Sequence, residues 1–127
     1  MGKYEEAIEC LDIAIKINPN DSDSYNVKAT SLFIIKKFKE ALECLDKLIE
    51  LNPNHPYAYD FKGDVLLHLK MDNEAIKCFD KVIEIIPKNS DTYNKKGVCL
   101  NGLKRYEEAI ECFDKAIKIN PIYAQYL

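Results

Sequence analysis

Four cysteines, Cys10, Cys44, Cys78 and Cys112, stand 34 residues apart each time. The period is not confined to them. It is kept by Ala7, Ala41, Ala75 and Ala109, by Asp12, Asp46, Asp80 and Asp114, and by Pro19, Pro53, Pro87 and Pro121. Tyr25, Tyr59 and Tyr93 keep it, as do Lys28, Lys62 and Lys96, and Ala29, Gly63 and Gly97 form a small-residue series. Residues 4–19 and 106–121, three periods apart, match at 14 of 16 places. This is internal duplication. It constrains the fold strongly, because a unit this short cannot bury its apolar face alone and must stack on its neighbours.

Each unit reads as two helices. From Tyr106 to Ile119, apolar residues at 106, 109, 110, 113, 116 and 117 make the i, i+3, i+4, i+7 stripe of an amphipathic helix. Acidic residues crowd its start and Lys lies near its end, as the helix dipole favours. Asn120-Pro121 ends it, since the residue before Pro is pushed out of the α region. The preceding segment, Asp91 to Leu103, carries Tyr93, Val98, Leu100 and Leu103 with Gly97 between them. A mid-helix Gly costs about 1 kcal/mol against Ala, so its recurrence predicts a close approach of two helices. The same pairing is predicted for 23–35 with 38–51 and for 57–69 with 72–85, and a leading helix for Tyr4 to Ile17. No segment alternates like a strand.

These residues resemble the tetratricopeptide repeat, a helix–turn–helix unit of 34 residues. The family's places are filled by Tyr93, Gly97, Ala109, Phe113, Ala116 and Pro121, by Tyr59, Gly63, Ala75, Phe79, Val82 and Pro87, and by Tyr25, Ala29, Ala41, Leu45, Leu48 and Pro53. The departures are few. Lys28, Lys62 and Lys96 stand where the family often has Leu. Asp72 replaces the aromatic of Tyr4, Phe38 and Tyr106. Ile86 replaces the Asn before the other prolines, which predicts a looser turn. The resemblance implies an all-α fold, a right-handed α-α superhelix of about seven antiparallel helices plus a C-terminal stub. Units are expected at 22–55, 56–89 and 90–123. Residues 1–21 match the second helix of an incomplete leading repeat, and 124–127 the start of an incomplete trailing one.

The unfinished ends raise two readings: an excised piece of a longer array, or self-association through the ends. The second would use Tyr4, Ile8, Leu11, Ile122, Tyr126 and Leu127, and predicts a weak homo-oligomer, head-to-tail or swapped.

Little points to chemistry. With 18 Lys and Arg against 21 Asp and Glu, the net charge of −3 gives no electrostatic case for nucleic acid or an anionic membrane. The longest apolar run, Leu32 to Ile35, cannot span a bilayer. Equivalent cysteines on stacked units would lie at least a helix-packing distance of about 8–10 Å apart, too far for a shared metal or a disulfide. They read as small packing residues, with Cys99 likewise packed. Five free thiols imply a reducing, cytoplasmic setting. His55 reads as solvated in its Asn-His-Pro loop, and no nucleophile–base pairing or phosphate loop is present. The lysine series reads as stems on apolar surface with heads in water. The expectation is therefore non-catalytic, with no metal and no cofactor.

In the resembled family the first helices line a concave groove that holds a partner peptide. Carried over by place, this face has Asn26, Val27, Thr30 and Phe33 from the first unit. The second gives Tyr57, Asp60, Phe61, Asp64 and His68, and the third Asp91, Asn94, Lys95, Val98 and Asn101. Tyr57 and Phe61 suggest an apolar anchor, and Asp60 and Asp64 acceptors for Lys or Arg. The implied partner is a protein or peptide with basic and apolar residues. Asn26 and Lys95 stand at places of the carboxylate clamp of chaperone-type members, but Thr30 and Phe61 replace its Asn residues, so that clamp is not expected.

Overall fold

The computed structural model describes residues 2–122. Among these, seven α-helices follow one another: α1 (Lys3–Ile17), α2 (Ser22–Ile34), α3 (Phe38–Leu51), α4 (Pro56–His68), α5 (Asp72–Ile85), α6 (Ser90–Gly102) and α7 (Tyr106–Ile119). Each packs on the next along the chain, giving the all-α superhelix. No described helix is long and apolar enough to cross a membrane.

The first helices of the pairs each begin and end one residue earlier than expected. At the start, Asp21 and Asn89 cap α2 and α6 from outside, their side chains accepting the backbone N–H of Asp23 and Thr92, so Ser22 and Ser90 are already helical. Pro56 takes the equivalent place as the first residue of α4, where its missing N–H and fixed φ suit the helix. At the end, Lys36, Lys70 and Lys104 adopt left-handed φ values of 64°, 60° and 63°. Lys36 N donates to Phe33 O at 3.0 Å and Lys37 N to Leu32 O at 2.8 Å. The same double closure recurs after α4 and α6, and it is the Schellman cap, usually built on Gly.

The second helices end identically whichever residue precedes Pro. Asn18, Asn52 and Asn120 cap α1, α3 and α7 in extended conformation, and each side-chain oxygen accepts the N–H two residues on. Ile86 has the same backbone form, φ −125° and ψ 87°, and its N–H still reaches Val82 O at 2.7 Å. The turn is therefore not looser than the others. What it lacks is the Asn side-chain hydrogen bond.

The core has no single centre. One cluster joins Ala29, Leu32, Leu45 and Val65 across α2, α3 and α4, and a second joins Leu66, Phe79, Cys99 and Leu100 across α4, α5 and α6 and on to α7. Within each, small faces large. A Cβ on Gly63 would overlap the Phe79 ring, and one on Gly97 the Phe113 ring. Where α2 carries Ala29, the facing residue is the smaller Leu45. α1 contributes no buried residue; only its Ile8 leans on the first cluster.

Cys44, Cys78, Cys99 and Cys112 are buried as expected, whereas Cys10 is exposed rather than packed, because α1 buries no residue; all five are free thiols. Burial pushes Cys44, Cys78 and Cys112 up from the ordinary thiol value, and Cys99 up to about 12. These are not the low-pKa thiols that act as nucleophiles. The lysine heads do not end in water, as the sequence had suggested. Lys28 Nζ meets Asp12 at 2.5 Å, Lys62 meets Asp46 at 2.7 Å and Lys96 meets Asp80 at 2.6 Å. Two series of the same period thus pair with each other, tying α1 to α2, α3 to α4 and α5 to α6. Burial alone would lower these ammonium groups, but the paired carboxylates prevail and hold them above their usual value.

Candidate protein-binding face

Contacts between first helices define one continuous face. Phe33 of α2 sets its ring edge-on to Phe61 of α4 at 5.5 Å and to His68 at 5.0 Å. Phe38, from the start of α3, closes the group at 5.5 Å from Phe33 and 5.6 Å from His68. His68 is held in place by its Nδ1, 2.9 Å from Asp64 O. Tyr57 lies 6.0 Å from Phe61, one turn earlier. Such offset and edge-to-face rings are worth about 0.5–1.5 kcal/mol per pair beyond burial, which favours the arrangement seen.

The two members of the expected anchor therefore differ. Tyr57 is exposed at 49%, whereas Phe61 is half-buried, its ring used by Phe33. Beside them, Val27, Ile34 and Val98 are exposed at 48%, 46% and 45%. Each of α2, α4 and α6 thus leaves an apolar group open: Val27 and Ile34, Tyr57, and Val98.

The charges on this face are organised, and differently from expectation. Lys95 Nζ, on α6, donates to both Asp60 oxygens at 3.1 and 3.2 Å and to Asp64 at 3.1 and 3.2 Å. All three side chains are about 30% exposed. Burial raises the Asp64 carboxyl despite the ammonium beside it, while the two carboxylates, outweighing burial, hold Lys95 above its usual value. Asp60 and Asp64 are thus not two free acceptors. With Lys95 they form one cluster of net charge −1, tying α4 to α6.

The remaining residues take quieter places. Thr30 donates its hydroxyl to Asn26 O at 3.0 Å, and Asn26 Oδ1 is buried with no hydrogen-bond partner. Asn94 is half-buried; Asp91 and Asn101 are exposed. His55 is half-buried against Tyr57, with its Nδ1 enclosed and unpartnered, not solvated as expected. Of the end residues, Tyr4 and Ile122 are exposed and Ile8 and Leu11 half-buried; Tyr126 and Leu127 lie outside the described residues. Among the described residues no group of three or more His, Cys, Asp or Glu is gathered as metal ligands would be.

Sequence reasoning missed three features: the aromatic contact of Phe38 with His68, the closure of Lys95 on Asp60 and Asp64, and a cavity beside Tyr57 lined by Val82 and Ile86. The periods of Lys and Asp were visible for the ladder, but the Lys95 cluster breaks the period and left no such trace.

Comparison with known proteins agrees on one family. Models described as tetratricopeptide repeat match residues 1–56, 56–89 and 90–123. The comparison with curated proteins returns no match. Among solved structures, MamA from Desulfovibrio magneticus RS-1, residues 41 to its end, superposes with a TM-score of 0.90 at 29% identity, over 99% of this chain and 73% of that one. YrrB, described as a TPR protein with an unusual peptide-binding site, gives 0.87 at 30% identity, over 98% of this chain and 66% of that one. A further MamA structure gives 0.89 at 24% identity, covering 94% and 70%, a likeness of fold alone.

Proposed function

The chain belongs to the tetratricopeptide repeat family, and on that premise we propose that it is a non-catalytic protein-interaction module. It holds a peptide segment of a partner against the face of α2, α4 and α6, the concave side of a superhelix built from units 22–55, 56–89 and 90–123. The observation that carries this reading is the set of exposed apolar groups on the first helices, Val27, Ile34, Tyr57 and Val98, together with the aromatic cluster of Phe33, Phe61 and His68. Exposed aromatic groups such as Tyr57, ringed by energetically neutral contacts, are where binding energy concentrates. The peptide-binding site of YrrB supports the same reading. The cluster of Asp60, Asp64 and Lys95 keeps one net negative charge, which favours a segment with a basic residue. Four buried free thiols fit a reducing, cytoplasmic setting.

The test uses peptides selected on the full chain from a displayed library of random twelve-residue sequences. Val98→Ala should cost more than 1 kcal/mol of affinity, about fivefold or greater, and Phe61→Ala at least as much. Val98 is the cleaner probe, because Phe61 also supports Phe33. Lys115→Ala, on α7 over the Tyr93 ring, should leave affinity unchanged. Selected peptides indifferent to both groove substitutions would refute the assignment.

A second reading, association through the ends, is favoured by exposed apolar groups on α1 and on α7 with its following turn: Ile13 and Ile17 at 61% and 80%, Tyr106 and Ile110 at 55% and 57%. Deleting 2–17 would abolish oligomers seen by light scattering while groove binding survives.

A further inference from the structure

The repeat supplies its own control, because each place in one pair can be compared with the same place 34 residues away. The pair α4–α5 departs from its neighbours three times in one direction. Pro56 stands where Ser22 and Ser90 do, Tyr57 where Asp23 and Asp91 do, and Ile86 where Asn18, Asn52 and Asn120 do. Each change replaces a polar residue by a less polar one. Although 29 residues separate Tyr57 from Ile86, the fold brings all three residues to one cavity of about 230 Å³, completed by Asp60, Val82 and Asn89.

Pro56 has a local reason as the first residue of α4. Tyr57 has ring contacts with Phe61 and His55, and Ile86 has no such contact. Both stay part-exposed, at 49% and 40%, so packing within the chain leaves much of their apolar surface open. Ile86 also gives up the side-chain hydrogen bond that Asn makes in the other turns, a bond worth roughly 0.5–1.5 kcal/mol. The backbone is the same with or without it, so the turn does not require Ile.

We propose that this cavity is a specificity pocket for one large apolar side chain of a partner peptide, with a Lys or Arg of the same segment beside it. The proposal rests on the groove-binding reading and adds which residue is recognised and where. Size sets the occupant: small-molecule sites run to about 300–1,000 Å³, and this cavity is smaller, room for a single side chain. Charge sets its neighbour. Asp60 is the charged residue of the lining, and through Lys95 it belongs to a cluster of net charge −1. A basic residue next to the buried one meets that charge, and an acidic one is repelled.

The experiment takes the library-selected peptides and compares the wild type with Ile86→Asn and Tyr57→Asp. Both substitutions restore what the other pairs carry, so the fold should be kept, and thermal melting checks it. The peptides should share a large apolar residue adjacent to Lys or Arg. Each variant should lose at least tenfold in affinity for them. A peptide with that apolar residue changed to Ala should bind wild type and Ile86→Asn equally weakly. Peptides that bind wild type and both variants alike, yet lose affinity to Val98→Ala, overturn the pocket and leave the groove standing. Indifference to all three substitutions overturns the groove as well, and so does a library that yields no binder.

Discussion

Three lysines do work that their chemistry does not announce. Lys36, Lys70 and Lys104 hold the left-handed conformation that closes α2, α4 and α6. An L side chain there costs roughly 1 kcal/mol or more, which Gly avoids at some expense in unfolded-chain entropy. Changing each to Gly should therefore stabilise the fold, by a few tenths to about 1 kcal/mol. The three sites are separate enough for the effects to add, so the triple variant should melt several degrees higher. No gain in denaturant midpoint for any of the three would contradict the strain argument. These positions also mark a limit of reading from sequence. Lys recurs there with the period, yet nothing in a lysine signals a positive φ; only the hydrogen bonds to Leu32, Leu66 and Leu100 O reveal it. The groove residues show a similar limit. Tyr57 and Val98 could be placed by register alone, whereas the pairing of Lys95 with two aspartates of α4 depends on the distance between helices, which no local pattern encodes.

At the scale of the element, the helices pair through matched sizes. Gly63 faces Phe79 and Gly97 faces Phe113, but Ala29 faces Leu45. Overfilling a packed site costs typically about 1–3 kcal/mol, against the roughly 1 kcal/mol that Ala gains over Gly within a helix. Gly63→Ala should thus be destabilising on balance, because the Phe79 ring is fully enclosed and cannot step aside. Adding Phe79→Leu recreates the combination that α2 and α3 already use. The double variant should be more stable than Gly63→Ala alone, with a coupling of about 1 kcal/mol or more in urea unfolding. Additive effects would mean that the two residues do not constrain each other. The helix pairing was legible in the sequence, because 3.6-residue periodicity recurs in register and Pro19, Pro53, Pro87 and Pro121 mark each stop. The Lys–Asp ladder was legible in its parts only. Lys28 and Asp12 belong to consecutive helices on either side of a unit boundary, so a reading organised by units left them apart.

At the scale of the whole molecule, the shifted groups among the described residues all lean one way. Cys44, Cys78, Cys99 and Cys112, the lysines 28, 62, 95 and 96, and Asp64 hold their protons more tightly when folded. The unfolded chain then releases protons first as pH rises, so these groups subtract stability on the alkaline side. For the thiols the loss begins near their ordinary value of 9.0 and for Cys99 continues to about 12; for the lysines it begins near 10.5. Asp64 makes its loss as pH rises past 3.8. Melting temperature should accordingly fall from about pH 9 upward. A thiol ionised only in the unfolded chain contributes about 1.4 kcal/mol per pH unit, so Cys99→Ala should flatten the decline even if it melts lower at pH 7. An unchanged slope would argue that Cys99 is reached by hydroxide in the folded chain.

The ladder has a consequence for how such a chain can change length. Each Lys lies sixteen places after its Asp: 12 and 28, 46 and 62, 80 and 96. Each Gly or Ala precedes its large partner by the same sixteen, as in 63 and 79. Excise any 34 consecutive residues between the two ends and the join presents an Asp to a Lys at the old spacing, and a small residue to a large one. Removing 56–89, for instance, leaves Asp46 to meet Lys96. Loss or gain of a unit by unequal recombination therefore leaves no unmatched seam, and the loss of 56–89 in particular would discard the stretch that carries Tyr57 and Ile86.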